Sequence, residues 1–132
     1  MSLFNFLFGK TTKSGRTKKL TASDKEKIRR EWQEIENLIN LENPSSRKEA
    51  LIRADKVVDL ALRRIAVGNT MGERLKNAQE AFSSYQIYDD LWKAHKIRNA
   101  AVHETGFEPM HAVIKHAINQ YKAALKDLGV SI

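Results

Sequence analysis

The chain has 132 residues, 42% of them apolar, which is enough for one domain and too little for two. Lys and Arg number 23 against 16 Asp and Glu, a net charge of +7 that favours an anionic partner. The lack of cysteine excludes a disulfide framework, thiolate catalysis and a Cys-based zinc site.

The positive charge sits at the start. Lys10, Lys13, Arg16, Lys18 and Lys19 fall in the first twenty residues, which hold no acid, so the remainder carries 18 basic against 16 acidic side chains and is nearly neutral. The opening Met1-Ser2-Leu3-Phe4-Asn5-Phe6-Leu7-Phe8 is apolar but far short of the ~20 residues needed to span a bilayer, and it lacks the basic n-region and small-residue cleavage site of a secretory signal. The expected organisation is a flexible arm at 1–20 and a helical domain at 21–132 in a cytoplasmic protein. The arm is either a disordered or docked terminus or a weak interfacial anchor. As an anchor it would set Leu3, Phe4 and Phe6 among lipid headgroups and its lysines on anionic lipid, at the inner face of a membrane.

Beyond the arm, three hydroxyl residues have Glu three positions on: Ser23 with Glu26, Ser46 with Glu49 and Thr70 with Glu73. This is the capping-box pattern, and it predicts three helix starts. The first helix, about 24–41, carries Ile28, Trp32, Ile35, Leu38 and Ile39 on one stripe before Asn43-Pro44 stops it. A second, about 47–66, faces inward with Leu51, Ala54, Val58, Ala61, Leu62 and Ile65, and Gly68-Asn69 supplies a left-handed stop. A short third helix, about 71–82, buries Met71, Leu75, Ala78 and Phe82.

The fourth helix starts within 84–89 and carries Tyr88, Leu91, Trp92, His95, Ala101 and Val102 up to Thr105-Gly106. The fifth opens at Pro109, a favoured first-turn residue, and runs to Leu128 before Gly129. Its stripe is Met110, Val113, Ile114, Ala117, Ile118, Tyr121, Leu125 and Leu128. No segment alternates with period two long enough to make a strand. The expected fold is all-α, an antiparallel helical bundle of four long helices plus one short helix.

Most chemistries find no residues here. Glu108-Pro109-Met110-His111 is a lone Glu-x-x-His, whereas a di-iron bundle needs two with further carboxylates on facing helices. His111 and His116, five apart, point in different directions and make no metal pair. There is no His-Glu-x-x-His and no Walker loop, and Trp32 and Trp92 read as core anchors. No metal or other cofactor is called for.

One stretch differs. The fourth helix reads Leu91-Trp92-Lys93-Ala94-His95-Lys96-Ile97-Arg98-Asn99-Ala100-Ala101-Val102-His103-Glu104, gathering two imidazoles, a guanidinium and an amide within a few turns. His95, Asn99 and His103 follow one another at four-residue intervals, a drift of about 40° per step, and line one ridge. Arg98 and His103 are five apart and about 140° from each other, so one helix cannot easily aim both at the same small group. Either the two serve separate purposes or a second copy completes the site across a two-fold axis. A purely structural alternative pairs Arg98 with Asp55 or Asp59 of the second helix and lets His103 and Glu104 close the helix end.

Arg98-Asn99-Ala100-Ala101-Val102-His103, an R-N-x-x-x-H, resembles the motif of the HEPN superfamily, in which Arg is followed by a polar residue and then, after four to six intervening positions, by His. The likeness covers about 23–128, with 94–104 the diagnostic stretch, and the cadence also resembles compact bacterial HEPN-like proteins. It implies a prokaryotic toxin or stress nuclease that cuts RNA without metal at a homodimer interface joining two copies of the motif. By position, His103 would be the acid/base group, Arg98 would bind the scissile phosphate, and Asn99 would orient groups by hydrogen bonds. His95 and Lys96, one to two turns earlier, would extend the phosphate-binding surface. Many HEPN-like domains are non-catalytic, so the resemblance equally admits a module that binds RNA, a nucleotide or a protein, with an antitoxin among the candidate partners.

Overall fold

The computed structural model describes residues 17–132. The apolar start and most of the basic arm, residues 1–16, lie outside the described residues, and so does the interfacial-anchor expectation placed on them.

Among the described residues all regular structure is helical: α1 (Ala22–Asn40), α2 (Pro44–Ile65), α3 (Met71–Asn77), a 3-10 turn (Gln79–Ala81), α4 (Tyr85–His103) and α5 (His111–Asp127). Together they make a helical bundle. None of these helices is long and apolar enough to cross a membrane.

Thr70 caps α3 as expected, its Oγ1 accepting the Glu73 N–H at 3.1 Å, but the starts of α1 and α2 depart from the expected ones. Helix α1 is capped by Thr21, whose Oγ1 accepts the Asp24 N–H at 3.0 Å while Asp24 Oδ2 accepts the Thr21 N–H at 3.0 Å. The reciprocal box is therefore Thr21/Asp24 and not Ser23/Glu26, because Leu20 is buried in the core and fixes where the chain enters the helix. Asn43-Pro44 starts α2 as well as following α1. Asn43 Oδ1 accepts the Ser46 N–H at 2.9 Å, and Pro44 takes the first-turn position where a missing N–H costs nothing. Ser46 is buried inside the first turn instead of capping it.

The stops shift too. Helix α2 ends at Ala66, which is extended, so Gly68 lies in the loop beyond and does not cap the helix. Helix α3 is shorter than the 71–82 predicted. The chain tightens into the 3-10 turn after Ala78, which lets Phe82 leave in extended conformation and reach the core. Helix α4 begins after Ser84, whose Oγ accepts the Ile87 N–H at 3.2 Å. Next to it, Ser83 donates its N–H and hydroxyl to the Asp127 carboxylate at 2.8 and 2.6 Å, tying the start of α4 to the end of α5.

Helix α2 is the central element, packing on α1, α5, α4 and α3, while α4 packs on α5. Its buried face, Leu51, Ala54, Val58, Ala61, Leu62 and Ile65, meets Ile28, Trp32 and Ile35 of α1 and Ile114, Ile118, Tyr121 and Leu125 of α5 in a single core. Trp32 is fully enclosed and donates its indole N–H to Glu36 Oε2 at 2.9 Å, as a core anchor should, whereas Trp92 is half-buried. Three residues assigned to the inner stripes face outward instead: Val102 at 42%, Met110 at 72% and Val113 at 36% exposure. Helix α5 opens at His111, not Pro109, and its buried face begins only at Ile114. Thr17–Leu20, assigned to the arm, run along the body: Lys18 donates its N–H to the Ile65 carbonyl at 2.9 Å and Leu20 joins the core.

Candidate functional site

The most polar part of the interior lies where the middle of α4 crosses α2 and α5. Asp55 of α2, 4% exposed, falls on a face that otherwise presents Leu51, Ala54, Val58 and Leu62 to the core, so its carboxylate must find partners inside. It finds three. His95 Nδ1 lies 2.8 Å from Oδ1, and the Tyr121 hydroxyl of α5 donates to the same oxygen at 2.7 Å. Arg98 sets its Nε 3.4 Å from Oδ2. That nitrogen is wholly shielded from solvent, close enough to the carboxylate for ion pairing and too poorly aligned for a hydrogen bond.

The remaining polar atoms knit the same residues together. Arg98 Nη1 donates to Asn99 Oδ1 at 2.9 Å, and the Asn99 amide nitrogen lies 3.3 Å from His95 Nε2. One face of the His95 ring is closed by Trp92, whose ring stands edge-on at 6.2 Å. The Tyr121 phenol is held protonated, first because burial disfavours the phenolate and then because the Asp55 charge repels it.

The structure thus brings Arg98, Asn99 and His95 together around a carboxylate and keeps His103 apart. His103 is the last residue of α4, exposed, and has no side-chain hydrogen bond or ion pair among the described residues. Lys96 is exposed likewise, on the side of α4 that faces α5, next to Lys93, whose ammonium charge is held on by its hydrogen bond to Asp89 at 3.1 Å. Seven residues separate Lys96 from His103, a rotation of only about 20°, so these two share a ridge that Arg98 does not. His95, proposed as part of the phosphate surface, is instead an internal residue with a side chain 12% exposed and both ring nitrogens engaged. Asp59, the other acid considered for Arg98, belongs to buried Arg74, which grips it with Nε and Nη2 at 2.8 and 2.9 Å.

One member of the cluster was named in the sequence reading only in part, and another escaped it. Asp55 figured only as one of two alternative partners, although a lone acid inside the apolar period of α2 is a signal that an interior cation or donor awaits it. Tyr121 was counted as core alone, and nothing in its spacing marks a hydroxyl bound to a carboxylate 66 residues away.

Chemically, the cluster offers an arginine held on its Nε side by a carboxylate and on one Nη by an amide. Its Nη2 makes no hydrogen bond among the described residues, and 21% of the side chain remains exposed. No group of three or more metal-ligating side chains occurs among the described residues. Comparison with protein-family models, with curated proteins and with solved structures returns no match to this chain.

Proposed function

We propose that the chain is a HEPN-like antiparallel helical domain acting on RNA as a metal-independent endoribonuclease, with Arg98 and His103 contributed to a composite site by two copies of the chain. The observation that carries this reading is the unequal treatment of the motif: Arg98 is seated and oriented by Asp55 and Asn99, while His103 is exposed with no side-chain partner among the described residues. A guanidinium fixed on one edge presents the other as a ready fork for phosphate oxygens. An unengaged imidazole at a helix end can take or give a proton at the ribose 2′-hydroxyl or the leaving oxygen. Neither step calls for a metal.

Two facts support a partner copy. The angular offset of about 140° between Arg98 and His103 keeps them from one small group on a single helix. The exposed Val102, Met110 and Val113 also flank, in sequence, the turn that follows His103, apolar side chains suited to burial in an interface.

A second reading, a non-catalytic module that binds RNA, a nucleotide or a protein partner such as an antitoxin, draws on the Arg98–Asp55 approach itself, since an arginine spent on an internal carboxylate can be structural. The deciding experiment is incubation of the protein with mixed RNA in EDTA. Because His103 is exposed and has no side-chain hydrogen bond or ion pair among the described residues, His103→Ala should fold as wild type and lose cleavage by about 10²- to 10⁴-fold. An RNA ladder left intact by wild type at high protein concentration would give the binding module precedence.

A further inference from the structure

The hydrogen bonds around Asp55 admit only one arrangement of protons. Arg98 Nη1 can only donate, so the Asn99 atom it meets at 2.9 Å is the amide oxygen. That leaves the Asn99 nitrogen, also a pure donor, 3.3 Å from His95 Nε2, which must accept. An imidazole accepting at Nε2 carries its proton on Nδ1, and Nδ1 lies 2.8 Å from the acceptor Asp55 Oδ1. Tyr121 donates to that same oxygen at 2.7 Å, and Arg98 Nε returns to the other oxygen at 3.4 Å. The bonds run in one sense, from Arg98 to Asn99 to His95 to Asp55, and the ion pair closes the loop.

We propose that His95 is the positioning residue of the anion site. Held by Asp55 and Tyr121 as the neutral Nδ1–H tautomer, it fixes the Asn99 amide, and Asn99 fixes which edge of Arg98 faces outward. This inference rests on the reading of Arg98 as a phosphodiester ligand. His95 does not touch substrate itself, because both its nitrogens are in use and its side chain is 12% exposed. The loop consumes Arg98 Nε and one Nη1 proton. Nη2 and the second Nη1 proton form the edge left to meet two oxygens of an RNA phosphodiester. Without an acceptor at His95, the Asn99 nitrogen loses its partner and only the bond from Arg98 itself holds the amide. The amide can then move with the guanidinium instead of anchoring it, and the arginine is free to swing onto Asp55.

The test combines two measurements on the full chain: ¹⁵N NMR of the His95 ring and the Arg98 guanidinium, and cleavage of a short single-stranded RNA oligonucleotide in EDTA. Wild type should show a protonated Nδ1 and a bare Nε2 at His95, with restrained Arg98 Nη signals. His95→Leu should release the Arg98 signals and lower kcat by about 10²-fold with little change in KM. His95→Gln, whose amide can both donate to Asp55 and accept from Asn99, should restore both readouts to within about tenfold of wild type. A proton on Nε2 in wild type, or His95→Leu that keeps both the Arg98 signals and the cleavage rate, overturns the proposal. If His95→Leu does not fold, the wild-type tautomer and the Gln variant decide. A wild type that cuts no RNA but shows the tautomer and the His95 dependence of the Arg98 signals defeats the nuclease reading and leaves the positioning role standing.

Discussion

Asp55 meets three side chains, those of His95, Tyr121 and Arg98, more partners than any other buried polar residue among the described ones, and the order in which they can be lost is calculable. Tyr121→Phe removes one hydrogen bond to a charged acceptor but leaves Oδ1 with His95, a loss of about 1.5–3 kcal/mol in urea unfolding. Asp55→Ala leaves the shielded Arg98 Nε without a counter-charge and orphans both His95 Nδ1 and the Tyr121 hydroxyl, so its cost should be higher, about 3–5 kcal/mol. Equal costs would mean that the carboxylate is not the centre of the cluster. The phenol also fixes a pH dependence. Its folded-state pKa is raised above the ordinary 10.0, by burial first and by Asp55 second, so the folded chain keeps a proton that the unfolded chain releases. The stability it contributes is complete below that ordinary value and is lost as pH climbs past it, so denaturation between about pH 9 and about pH 11 should show a decline that Tyr121→Phe lessens. Much of this cluster was legible in advance: the ridge of His95, Asn99 and His103 and the candidate ion pair follow from counting residues. What counting could not show is that the ridge divides, with two members turned inward and His103 left in solvent, because that depends on where α2 and α5 cross α4.

At the scale of elements, every helix stripe was visible as a 3.6-residue period, and the misplacements cluster at the ends. A stripe gives a face; an end depends on which of several competent side chains reaches a free N–H first, and neighbouring contacts settle that. Thr21 outcompeted Ser23 because Leu20 is anchored, and Asn43 outcompeted Ser46 because Pro44 follows it. The outward turn of Val102, Met110 and Val113 is likewise an effect at helix ends, since all three lie close to where α4 stops or α5 starts, and within the α4–α5 connection it is Phe107 that packs on the core. The α2–α3 connection is tighter. Arg74, buried, joins Asp59 to the Gly68 carbonyl at 2.9 Å, and a Cβ on Gly68 would come within 2.7 Å of the Arg74 backbone nitrogen. Gly106 also has a positive φ, 82° against 155° at Gly68, but open space around it. Gly106→Ala should therefore cost only the strain at its own φ, about 1 kcal/mol, whereas Gly68→Ala should cost about 3 kcal/mol or more, because its φ suits an L side chain less well and the Arg74 backbone must also be displaced. Matched thermal unfolding of the two variants checks this, and a Gly68→Ala as mild as Gly106→Ala would show that the loop gives way at little cost.

For the molecule as a whole, the nuclease proposal predicts that the charge asymmetry separates affinity from chemistry. Residues 1–16 supply Lys10, Lys13 and Arg16, three of the seven net positive charges, and the helical part holds the motif. The natural cut between these two parts is after residue 16. Removing residues 1–20 would also take Leu20 from the core and break the Lys18–Ile65 bond, confusing any change in RNA affinity with lost stability. If the three charges meet phosphates, each releases counterions worth about 0.7 of a unit in the slope of log affinity against log salt for a single strand, so deleting residues 1–16 should reduce that slope by about 2. Turnover at saturating RNA should stay as it was, because neither Arg98 nor His103 has moved. His103→Ala should do the converse, leaving the salt slope in place and removing turnover. RNA binding titrated at several salt concentrations beside single-turnover cleavage reads both effects at once, and a truncation that abolishes cleavage even at saturation would place the chemistry in the arm and not on α4.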